Sequence, residues 1–150
     1  MVIQVDTREH QHAIQKILAE FEAQGVKYYS SKLYVGDYMS LDNPRLVIDR
    51  KQNLSEVYGN IFHAHGRFKA ELVRAQEAGI HLIILVEHSP QVTCLEDVVW
   101  WNNPRAKENP KVAKSETLYK AMKTMSERYD CEWMFCSKQQ TGKRILELLK

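Results

Sequence analysis

The sequence has little cysteine, with only Cys94, Cys131 and Cys136, and no pair at Cys-x-x-Cys spacing. That excludes a disulfide-stapled fold and a cysteine-rich zinc module, and it points to reduced thiols in a cytoplasm-like compartment. Cys131 and Cys136 flank Glu132–Phe135; at an odd separation along a strand they leave opposite faces and do not pair. Proline is equally sparse: three of the four, Pro90, Pro104 and Pro110, fall in one stretch. There is no low-complexity tract or internal repeat, so a disordered or fibrous chain is excluded. No apolar run reaches the ~20 residues a transmembrane helix requires, and charges from Asp6 onward leave no apolar signal segment after Met1. A strong charge of one sign is also missing. The formal net charge of +2 neither demands nor excludes a nucleic acid, because clustered carboxylates can mask a basic patch.

What remains is one soluble domain over residues 1–150, with 44% hydrophobic and 27% charged residues. Such a chain buries roughly two-thirds of its unfolded surface. Val2–Asp6 reads as a short buried strand. Ile14, Ile17, Leu18 and Phe21 share one helical face, and that helix ends near Gly25. Tyr28–Val35 has strand composition, broken by Gly36-Asp37. Tyr38–Leu41 and Arg45–Asp49 form a hairpin about Asp42-Asn43-Pro44. Leu54–Phe62 and Phe68–Ala78 are expected helices separated by His63–Gly66. The unbroken apolar run His81–Glu87 is a strand covered on both faces. Leu118, Ala121, Met122 and Met125 mark another helix, Cys131–Cys136 the last strand, and Ile145, Leu148 and Leu149 the last helix. Strands alternating with helices imply an α/β fold, a central mixed sheet with helices on both faces. Residues 88–114 are too long for a plain connector and read as a functional loop or an insertion.

The chemistry concentrates in "GDYMSLDNPRLVIDRK", residues 36–51, where an apolar strand ends in an acid and two bases. Asp49 and Lys51 lie two apart on an extended strand, so their side chains leave the same face. Asp37 closes the neighbouring segment. Two carboxylates held together repel each other unless a cation lies between them, and all-oxygen ligands favour Mg²⁺ or Mn²⁺. With a lysine alongside, the set suits metal-assisted hydrolysis of a phosphodiester. A surface hairpin with a salt bridge is the plainer alternative. Asp6, Arg8 and Glu9 follow the first strand at its carboxyl end, where α/β folds place their sites. Arg67 and Lys69 sit at a helix start, which favours phosphate.

These motifs together resemble the nuclease domain of the XPF-type structure-specific endonucleases, a branch of the restriction-endonuclease-like superfamily. The motifs are Val5-Asp6-Thr7-Arg8-Glu9, Gly36-Asp37, Asp49-Arg50-Lys51 and Gly66-Arg67-Phe68. The resemblance covers nearly the whole chain and implies an α/β/α sandwich with the activity of a divalent-metal-dependent DNA endonuclease. It implies Asp37, Asp49 and the Arg50 backbone carbonyl as ligands of Mg²⁺ or Mn²⁺, with Asp6 completing the acidic set directly or through water. Lys51 would be the catalytic base or electrostatic partner, and Arg8, Arg50 and Arg67 would hold phosphates or brace the site. Branched or flapped DNA, met in repair, recombination or replication, would be the substrate, with a possible homodimer. Four-way-junction resolution and a non-catalytic DNA-binding scaffold are the alternatives. Asp49 stands where the family usually has glutamate, and Ser55 where it has a last aspartate; adjacent Glu56 is turned about 100° away on a helix. Without the family's usual helix-hairpin-helix module, the chain resembles stand-alone versions from prokaryotes and their viruses.

Around this centre the reading is less specific. Arg105, Lys107, Lys111 and Lys114 form a basic segment that either contacts DNA phosphates or is merely solvated. Trp100 and Trp101 either stack on an unpaired base or pack the long loop onto the body. His63 and His65, with no cysteine nearby, read as polar loop residues rather than a zinc site. Thr141–Arg144 lacks the upstream glycine of a phosphate-binding loop.

Overall fold

The computed structural model describes all 150 residues, Met1–Lys150. Its frame is a six-stranded sheet in the order β2-β1-β3-β4-β5-β6. The strands are β1 (Val2–Val5), β2 (Lys27–Ser30), β3 (Tyr38–Ser40), β4 (Leu46–Lys51), β5 (His81–Val86) and β6 (Cys131–Phe135). β1 runs parallel to β2 and antiparallel to β3; β3 and β4 form the expected antiparallel hairpin. β4, β5 and β6 are parallel, with Asp49 opposite Ile84 and Lys51 opposite Val86.

Period-2 alternation sends neighbouring side chains of each central strand to two separate cores. Val47, Leu82, Ile84 and Val86 face one, packed by α2 (Leu54–Phe62), α3 (His65–Glu77) and α4 (Ser115–Arg128). Ile48, Ile83 and Leu85 face the other, packed by α1 (Gln15–Ala23) and α5 (Thr141–Leu149). This is the expected mixed sheet with helices on both faces. No helix is long and apolar enough to cross a membrane.

One sequence expectation changes. The strand expected over Tyr28–Val35 stops at Ser30, because the Leu33 amide leaves the sheet edge to donate to Asp6 Oδ1 at 2.8 Å. Leu33 and Val35 are buried instead as a plug leading to Gly36. Within residues 88–114, Val92 and Val98 are fully buried in the α2–α4 core, while most of the segment is exposed. Two short 3₁₀ helices, Leu95–Trp100 and Pro104–Lys107, order this segment, and the Ala113 amide donates to the Tyr58 hydroxyl at 2.9 Å.

The bend before β3 depends on Gly36, whose φ is +69°. A Cβ there would meet Val47 Cγ1 at 2.4 Å and the Ile48 carbonyl at 3.2 Å. Gly36→Ala is therefore expected to destabilise the protein by about 2–3 kcal/mol, from the left-handed conformation and overpacking together. Denaturant unfolding measures this, and a midpoint equal to wild type would show that the bend tolerates a side chain.

Candidate active site

Asp37 is fixed by the main chain on both sides. Its amide donates to the Ile48 carbonyl and its carbonyl accepts from the Asp6 amide, both at 2.8 Å, tying β1, the Gly36 bend and β4 together. Its Oδ2 accepts from the Arg50 amide at 2.7 Å, where the β3–β4 ladder would otherwise continue. Asp49 follows on the same face of β4 as Val47, so both carboxylates lie on the α2–α3 side of the sheet.

Lys51, one pleat further on, is 7% exposed; its Nζ lies 3.2 Å from Asp49 Oδ2 and 5.2 Å from the Phe68 ring centroid. The ion pair is off the hydrogen-bond direction, and Asp49 Oδ2 is buried without a hydrogen-bond partner. Burial, then the charges of Asp49 and Glu9, hold the Asp37 carboxyl well above the usual carboxylate range. Burial pushes the Lys51 ammonium down, but Asp49, Glu56, Glu71 and Asp37 outweigh it and leave its pKa raised.

A fourth charged group was not singled out in the sequence. Glu71 of α3 accepts from the Gly36 amide at 3.3 Å, and its pKa is raised by burial and by Asp49. The available signal was its position four residues after Arg67, on the same helical face as the Gly66-Arg67-Phe68 motif. Half-buried beside Asp37, Glu71 makes the pocket more acidic than residues 36–51 suggest.

The other face of β4 has a different task. Arg50 Nε donates to Glu9 Oε2 at 2.8 Å and Nη1 to Glu87 Oε1 at 2.5 Å, and Tyr38 donates its hydroxyl to Glu9 at 2.8 Å. The guanidinium side chain is 5% exposed. It therefore braces the end of β4 from within the α1–α5 layer and offers no surface to a phosphate. Its backbone carbonyl is different. Ile48 O accepts from β3's side and Lys51 O from Glu87 on β5's side. Strand alternation then turns Arg50 O toward Asp37.

Asp6 does not join the acidic pocket. Its Oδ1 accepts from the Leu33 amide, and its Oδ2 from Arg8 Nε at 2.7 Å and the Arg8 amide at 3.2 Å. Burial raises its pKa, but these donors prevail and the net shift is downward. Asp6 thus anchors the Leu33 turn, and Arg8 pairs with it while its own side chain stays 60% exposed. Arg67 and Lys69 are exposed at the start of α3. Lys107, Lys111 and Lys114 are exposed too, but Arg105 is not an open phosphate contact. It lies 4.9 Å from the Tyr58 ring centroid, and its Nη2 donates to the Ser55 carbonyl. Glu56, beside Ser55, is used at the start of α2, where its carboxylate accepts from the Gln52 amide at 3.0 Å. Trp101 packs edge-on to His88, while Trp100 is 84% exposed.

These groups fit a hard divalent cation. A buried carboxylate oxygen that accepts no hydrogen bond, next to a second carboxylate and a backbone carbonyl, is an all-oxygen donor set. No three acidic, histidine or cysteine side chains close into a cage.

No curated protein matches this sequence. Among solved structures, XPF from Aeropyrum pernix is similar over 99% of this chain, with a TM-score of 0.70 and 25% identity. XPF from Aeropyrum pernix in complex with DNA is similar over 99%, with a TM-score of 0.68 and 26% identity. This chain spans 63% and 62% of those two chains. The α/β/α sandwich is the restriction-endonuclease-like fold of the XPF nuclease domain. The ERCC4 domain model matches residues 5–149, and the chain belongs to that family.

Proposed function

We propose that the protein is a divalent-metal-dependent endonuclease that hydrolyses phosphodiester bonds in branched or flapped DNA. The observation that carries this reading is the buried Asp49 Oδ2, which accepts no hydrogen bond, lies beside Asp37 and is ion-paired with the Lys51 ammonium at 3.2 Å. Family membership and the likeness to an XPF–DNA complex support DNA as the substrate.

Asp37, Asp49 and the Arg50 carbonyl would hold Mg²⁺ or Mn²⁺, which when bound supplies Lewis-acid stabilisation of the phosphoryl oxygens and favours ionisation of water. Lys51 holds the attacking water in line or neutralises a non-bridging oxygen, because its Nζ lies beside Asp49 and over the Phe68 ring. The Asp37–Arg50 amide contact fixes the spacing between β3 and β4, so the acids cannot relax apart. Water attacks phosphorus as the bond to O3′ breaks, leaving a 5′-phosphate and a 3′-hydroxyl. Arg67, exposed at the start of α3 on the Glu71 flank, meets the DNA backbone next to the cut.

Labelled single strand, duplex, splayed arm, flap and four-way junction, each incubated with Mn²⁺ or Mg²⁺, test the proposal. Cleavage of a branched substrate, abolished by a chelator, is expected. Symmetric paired cuts confined to four-way junctions would point to resolution instead, and no cleavage of any substrate would overturn the activity.

A further inference from the structure

The basic side chains nearest α4 take no part in the chemistry above. Between the end of α2, the outer flank of α3 and α4 lies an open groove of about 450 Å³. Its floor is apolar and partly aromatic, with Phe62, Met125 and Tyr129. Its rim carries His65, Lys69, Lys120 and Arg128, and no acidic residue lines it. All four rim residues are solvent-exposed. The ion pairs of the molecule engage Arg8, Arg50, Lys51, His81 and Arg144, so none of the rim cations is neutralised. In a chain whose formal charge is only +2, the groove is a local excess of positive charge around an apolar floor.

Charge complementarity selects a polyanion, and the floor selects one with an exposed ring. Duplex DNA presents phosphates but keeps its bases stacked inside. A single strand presents both, and base–aromatic stacking contributes about 1–3 kcal/mol per base. The volume suits one nucleotide. The groove is also within reach of the acids. On α3, with about 100° per residue, Lys69 points some 160° away from Glu71, so the helix, roughly 10–12 Å across, separates them. Arg67 lies on the acidic flank and His65 on the groove flank of the same first turns. A strand leaving Asp49 can therefore cross the exposed start of α3 and enter the groove within a few nucleotides.

We propose that this groove binds an unpaired nucleotide of a single-stranded arm next to the scissile bond, with Lys69, Lys120 and Arg128 on its phosphates and Phe62 and Tyr129 against its base. The proposal rests on the nuclease reading but is tested without cleavage. Fluorescence anisotropy of the full chain, with metal chelated, compares three labelled DNAs: a splayed duplex with an oligothymidine arm, the same with an abasic arm, and a blunt duplex. The wild type is expected to bind the thymidine arm about 10-fold more tightly than the abasic arm. Lys120→Gln/Arg128→Gln, at exposed positions and expected to melt like wild type, weakens arm binding about 10-fold or more. It lowers the slope of log affinity against log salt by about 1.4 and leaves blunt-duplex affinity unchanged. Phe62→Leu is expected to narrow the difference between thymidine and abasic arms.

Equal wild-type affinity for base-bearing and abasic arms overturns the proposal. So does unchanged arm binding in the double variant, or equal weakening of arm and duplex. Concentration-dependent dimerisation of the wild type that is lost in the double variant would assign the groove to a second copy instead. Failure of the nuclease reading is distinct: DNA would still bind, yet no substrate would be cut with Mn²⁺.

Discussion

Asp37→Asn is expected to raise the melting temperature of the metal-free protein by about 3 °C while lowering cleavage by at least ~10³-fold. The two effects share a cause. In the absence of a divalent cation, Asp37, Asp49 and Glu71 crowd three carboxyl groups together, and burial with this crowding raises the pKa of Asp37 and Glu71. Such crowding destabilises the fold unless a positive ion offsets it. An asparagine keeps an oxygen to accept from the Arg50 amide, now 2.7 Å from Asp37 Oδ2, and adds an N–H donor that can satisfy Asp49. The same change removes a ligand of the proposed ion. Mn²⁺ is accordingly expected to raise the wild-type melting temperature, since a ligand that binds only the folded state stabilises it by mass action. It should leave that of Asp37→Asn unchanged. Thermal melts with and without Mn²⁺ read this independently of any nuclease assay. A variant that melts lower than wild type without metal, or that responds equally to Mn²⁺, would remove the acids from the role assigned to them.

The path from sequence to site was legible where the chain itself supplies the geometry. Asp49 and Lys51 share a face because β4 is extended, and Val47 already shows which face is buried against α2 and α3. The hairpin, the strand His81–Glu87 and the pairing of Gly36 with Asp37 follow from local chemistry of the same kind. What could not be read depended on contacts distant in sequence. Asp6 and Arg8 look like members of the acidic cluster, yet Asp6 is consumed by Arg8 and the Leu33 amide. Nothing in residues 5–9 announces that partner, because it comes from a strand that ends early. Arg105 belongs to a basic run in the sequence, but Tyr58 and the Ser55 carbonyl hold it down. Glu71 was hidden in plain helical periodicity, and only its approach to Gly36 distinguishes it from a solvated surface acid.

Arg50 gives the second large expectation, because its sequence position beside two functional residues conceals a structural task. Arg50→Met is expected to destabilise the protein by about 3–5 kcal/mol, which for a domain of this size lowers the melting temperature by roughly 10 °C. The loss comes less from the missing attraction than from what remains. Glu87, with its side chain 3% exposed, and Glu9, 11% exposed, would keep their charges without the guanidinium that pairs with both. The Tyr38 hydroxyl, donating to Glu9, would share in the disruption. Arg50→Lys recovers only part, since one ammonium cannot span both carboxylates as the planar fork does. Replacing the triad together, Arg50→Met with Glu9→Leu and Glu87→Leu, is expected to regain most of the stability, because no buried charge is then left unpaired. Denaturant melts of the single and triple variants measure this. A triple variant no more stable than Arg50→Met would place the loss in packing instead. Function separates from stability here: the Arg50 carbonyl survives the substitution, and its side chain lies on the sheet face opposite Asp49 and Lys51. Well below its melting temperature, Arg50→Met should therefore cleave within about 10-fold of wild type, whereas Asp37→Asn does not. A complete loss of cleavage in a folded Arg50→Met protein would instead put the guanidinium on the DNA.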